Sequence, residues 1–83
     1  MADDQAKLKL QRLAGRVQGR ITTLNEDARL EQVIRAKQIR TRQDVRDVLG
    51  EALGKNSSDV VFALANHDDS DRLIDDIINE IKK

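Results

Sequence analysis

Eighty-three residues make one small domain, near the lower limit at which a single hydrophobic core holds a fold unaided. Without cysteine, and with no apolar run of membrane-spanning length, the composition excludes a disulfide framework, a thiolate zinc site and a bilayer-crossing helix. The formal net charge is zero, yet residues 1–46 hold eleven bases and six acids (+5) while residues 47–83 hold four bases and nine acids (−5).

The opening MADDQAKLKL carries two acids and no apolar h-region, which argues against a secretory signal and leads us to expect a soluble cytoplasmic protein. Residues 1–5 are expected to be a disordered tail, followed by a basic half, 6–46, and an acidic half, 47–83, of one helical domain. Leu10, Leu13, Val17, Ile21 and Leu24 then step by 3, 4, 4 and 3, a helical face that we take as a candidate association stripe. Lys7 to Gln11 also alternate as a strand would, but a hairpin turning at Ala14 and Gly15 lacks the Asn-Gly or leading-Gly chemistry of a two-residue loop.

On that helix Lys9, Arg12, Arg16 and Arg20 form one cationic ridge, a candidate site for a polyanion or an acidic partner. Gly15 and Gly19 fall beside it, away from the leucines, where each costs roughly 1 kcal/mol of helix stability relative to alanine. Their presence suggests close approach of a phosphate or partner backbone, or a helix that orders on binding. The plainer alternative is a solvated helix whose arginines pair with the acidic half.

Leu30, Val33 and Ile34 form the next stripe, and Thr23 with Glu26 makes a capping box, giving a helix over about 24–38. In one straight rod this stripe would lie opposite the first, so a break is required near Thr22 to Asn25. A second basic cluster follows: Arg35, Lys37, Arg40, Arg42 and Arg46.

Val45, Val48, Leu49, Ala52 and Leu53 define a third helix, with Thr41 as N-cap and Gly54 as terminator. SSDVVFALAN reads as a short, largely buried helix with a serine cap and Phe62 in the core. Leu73, Ile74, Ile77, Ile78 and Ile81 define a last helix, capped by Asp69 or Ser70 and carrying Asp71, Asp75, Asp76 and Glu80 as a candidate acidic partner face. The fold class expected is all-α, a bundle of four or five short helices, with the first mobile or used for association.

The remaining motifs are weak. Residues 46–66 echo a helix-turn-helix in Leu49, Gly50, Leu53, Gly54, Val60 and Ala63, but the second helix offers no Arg or Lys to reach bases. GEALGKNS has the wrong spacing for a phosphate-binding loop, and a calcium loop started at Asn66 would place Asp71 where glycine belongs and Ile77 where glutamate belongs. Asp69 and Ser70 resemble the attachment dipeptide of acyl carrier proteins, but Asp71 replaces the expected Leu and too few residues follow. His67 is the sole histidine and has no marked nucleophile neighbour.

We therefore expect no catalytic residues, no metal site and no cofactor. The leading expectation is a non-catalytic, self-associating protein-interaction module with a protein partner or a second copy, and no membrane partner. Its rival is a small DNA-binding regulator, antitoxin-like, that contacts duplex phosphates through the basic half; without Tyr or Trp, single-strand stacking is disfavoured.

Overall fold

The computed structural model describes residues 2–82, with side chains from residue 5 onward. It is all-helical: α1 (Ala2–Gln18), α2 (Leu24–Ala36), α3 (Arg42–Leu53), α4 (Ser57–Ala65) and α5 (Ser70–Lys82), with no strand among the described residues. The hairpin alternative for residues 7–22 therefore does not occur. Helix α1 also starts earlier than the apolar spacing indicated, since residues 2–5 of the expected tail continue its backbone; Met1 lies outside the described residues.

Both predicted capping devices of the basic half are present. Thr23 Oγ1 accepts from the Glu26 amide at 3.2 Å while Glu26 Oε1 accepts from the Thr23 amide at 2.9 Å, closing a capping box at the start of α2. Thr41 does the same for α3 with Asp44, whose carboxylate accepts from the Thr41 and Arg40 amides at 3.0 and 2.9 Å. These bonds satisfy amide donors that have no partner inside the helix. Gly54 ends α3 in the left-handed conformation at φ +69°.

Two local readings are corrected. The cap of α4 is Asn56, not a serine: Asn56 Oδ1 accepts from the Asp59 amide at 2.8 Å and Ser57 is already helical. Helix α4 is also not largely buried. A nine-residue helix packs one side, and Val60 and Leu64, one turn apart, occupy it; Val61 and Phe62 point outward, with Phe62 76% exposed.

Helices α1 and α3 each contact all the others, and α1 packs most extensively on α5, joining the two ends of the chain. The core is built from Leu10 and Leu13 of α1, Leu30 of α2, Val45, Val48 and Leu49 of α3, Val60 of α4, and Ile74 and Ile77 of α5, all essentially inaccessible. Ala6 and Ala14 are fully buried too, small enough to let neighbouring helices close on α1. Ile39 fills the space under the α2–α3 connection, a core position that no helical periodicity announces. The radius of gyration, 11.2 Å, is close to the roughly 12 Å of a globular chain this long, so α1 lies within the compact body.

Candidate functional site

Where α1 stops determines what surrounds its outer face. Gly19 adopts φ +72°, and the Gly19 and Arg20 amides both donate to the Gly15 carbonyl, at 2.8 and 3.1 Å, so the helix ends at Gln18. Gly15 belongs to the same device. A β-carbon there would stand 3.2 Å from the Arg20 carbonyl oxygen, so the missing side chain accommodates the chain's own returning backbone. Expected phosphate or partner contacts are not needed to account for either glycine.

This early stop divides the association stripe. Leu10 and Leu13 are buried in the chain's own core and Val17 packs half-buried against it. Ile21 instead lies in the α1–α2 connection, 90% exposed, and Leu24 opens α2, 87% exposed. The five residues do not form one surface.

A different surface takes their place. Leu8, Gln11, Arg12, Gly15 and Gly19 recur at i, i+3, i+4, i+7 and i+11, the side of α1 opposite Leu10, Leu13 and Val17. Together with Ile21 and Thr22 from the connection and His67 from the α4–α5 turn, they line a groove of about 660 Å³. Leu8, 53% exposed, and Ile21 supply its apolar walls. Its formally charged lining residues are Arg12, Arg16 and Arg20, with no carboxylate among them.

The ridge residues divide between paired and unpaired. Arg16 makes a two-pronged bond to Asp69, at 2.7 and 3.1 Å, and lies 3.5 Å from Ser70 Oγ, tying α1 to the start of α5. Arg20 folds back on Glu26 through two bonds of 3.0 Å and also donates to the Ile21 carbonyl and Gln18 Oε1. Lys9 and Arg12 form no ion pair with any described side chain. The paired carboxyls respond: Arg20, and next the Thr23 amide, hold Glu26 down to about 2, and Arg16 lowers Asp69.

The second basic cluster is largely engaged within the chain. Arg42 grips Asp75 through two bonds of 2.8 Å and also approaches Asp71, which Arg46 reaches at 3.6 Å. Lys37 meets Glu51 at 3.1 Å and Arg35 meets Glu31 at 3.1 Å, while Arg40 donates to Gln38 Oε1. These hydrogen bonds raise the Arg42 and Lys37 pKa values and lower that of Asp75. Two members of the candidate acidic face, Asp71 and Asp75, are thus joined to α3, and Asp76 and Glu80 lie half-buried farther along α5.

Helices α3 and α4 meet in a tight Gly turn, with no Lys or Arg on α4. A side chain at Gly50 would bring its β-carbon to 2.7 Å from the Lys55 carbonyl oxygen. Sequence reasoning missed two features of the surface. The apolar run around Phe62 points to the core, but the i, i+4 pair Val60 and Leu64 takes the inward side of α4 and leaves Phe62 outside. His67 reaches the groove only through the α4–α5 turn, which no local pattern specifies. Compared with known proteins, the chain matches no family model, no curated protein and no solved structure.

Proposed function

We propose that this chain is a non-catalytic helical protein-interaction module that self-associates through surfaces including the outer face of α1. The observation that carries the reading is the groove with exposed Leu8 and Ile21 on its walls and only cations among its formally charged lining. Neither side chain is needed to fill the core, and covering an aliphatic side chain of this size releases about 1.5–3 kcal/mol. Arg12 beside them gives register and steering to an acidic partner.

The rival reading, duplex binding by a small regulator, requires many free cations along one track. Of the two basic clusters, Arg16, Arg20, Arg35, Lys37, Arg42 and Arg46 already face carboxylates of the same chain. We therefore favour a protein-facing role.

Sedimentation equilibrium from micromolar to millimolar protein tests this, run beside anisotropy of a labelled random duplex at about 50 and about 200 mM salt. Concentration-dependent association with no salt-sensitive duplex binding is expected. A strict monomer that binds duplex at low salt, and loses that binding in Arg12→Ala, would replace this reading with the rival.

A further inference from the structure

We infer that the occupant of the α1 groove is the outer face of α4 from a second copy of this chain. The inference rests on the self-association reading and names its contact. Phe62, the chain's only aromatic residue, stands 76% exposed on α4 beside Val61 at 43%. Asp59 lies one turn before Phe62, and its carboxylate has no hydrogen-bond or ion-pair partner among the described residues. Helix α4 holds no Lys or Arg. Its outer face is therefore an apolar projection with an acid, and the groove is an apolar depression with cations.

The charges select the cross pairing. Groove against groove would bring Arg12 of two copies together, and α4 against α4 would bring Asp59 of two copies together, both repulsive. Phe62 in the groove satisfies both surfaces. A volume of about 660 Å³ is of the size that takes a small ligand, and so accommodates a phenyl ring and a neighbouring valine. Gly19 adds a floor where nothing stands within 4 Å of its β position. Arg12, without an ion pair among the described residues, can lie over the ring face and also reach Asp59. An aromatic anchor seated in a pocket with an arginine is the arrangement that dominates interface energetics.

Ile21→Asp disables the groove and Phe62→Ser disables the projection. Both positions are exposed, and circular dichroism verifies that the variants keep their helices. Each variant alone should self-associate at least about tenfold more weakly than the native chain. An equimolar mixture should recover association as a heterodimer, because one variant retains its α4 face and the other its groove; native mass spectrometry separates the two by mass. Association that neither variant weakens, or that only one weakens, overturns the docking mode and leaves the self-association reading standing. Loss in both variants without recovery on mixing also overturns it. A native chain that remains monomeric overturns both.

Discussion

Glu26 shows how one side chain can serve two structures. Its carboxylate closes the capping box of α2 and receives both prongs of Arg20, so it holds the connection after α1 against the helix that follows. Because its folded pKa is depressed to about 2, its contribution to stability is fully present above the unfolded carboxyl range and disappears as pH falls from about 4.5 toward 2. We predict that the Glu26 carboxyl, followed by NMR, titrates near 2 in the native chain. In Arg20→Gln the midpoint should rise toward the ordinary glutamate value, remaining below it because the Thr23 amide still donates. A midpoint unmoved by the substitution would show that Arg20 does not set it.

At the scale of elements, the α3–α4 corner depends on a residue with no side chain. The Lys55 amide donates to the Gly50 carbonyl at 2.9 Å while the Lys55 carbonyl passes over the Gly50 α-carbon, leaving too little room for a methyl group. The 2.7 Å contact a β-carbon would make there is with the Lys55 carbonyl oxygen, a backbone atom that cannot swing aside as a flexible side chain would. Although alanine is the better helix former, Gly50→Ala should destabilise the fold by about 1–3 kcal/mol, the cost of overpacking, measured by urea unfolding. An unchanged or raised midpoint would mean that the corner relaxes freely. The start of α2 and both ends of α3 were legible in the sequence because Thr23, Glu26, Thr41 and Gly54 act on amides and carbonyls a few residues away, whereas α2 stops at Ala36, short of the expected 38. The end of α1 was not. Apolar spacing alone carried that helix past Gly19 toward Leu24, whereas the left-handed glycine, a local backbone preference, stops it at Gln18.

For the molecule as a whole, the apolar stripes of α2, α3 and α5 pointed to their inward faces correctly, because each helix packs a single side. The placement of charge was less legible. Which arginine meets which carboxylate depends on tertiary approach: Arg16 to Asp69 and Arg42 to Asp75 span 53 and 33 residues, and no spacing rule encodes either. Domain stability scales with chain length at about 0.05–0.15 kcal/mol per residue, so a chain this short has only several kcal/mol in hand. Leu13→Ala, at a fully buried position of α1, should remove about 2–5 kcal/mol of it and leave a substantial unfolded population. Leu24→Ser, at a position 87% exposed, should stay within about 0.5 kcal/mol of native in the same chemical denaturation. Equal losses from the two would contradict the division of the leucine stripe between interior and surface.

The packing of α1 on α5 sets an order on biosynthesis. During translation the cationic first half leaves the ribosome before Asp69, Asp71 and Asp75 emerge to pair with it, and Leu10 and Leu13 lack their α5 partners until residues 70–82 follow. Completion of this fold is therefore a late event, concentrated at the last helix. A nascent chain halted before α5 emerges would leave the apolar face of α1 open and be a natural client for chaperones.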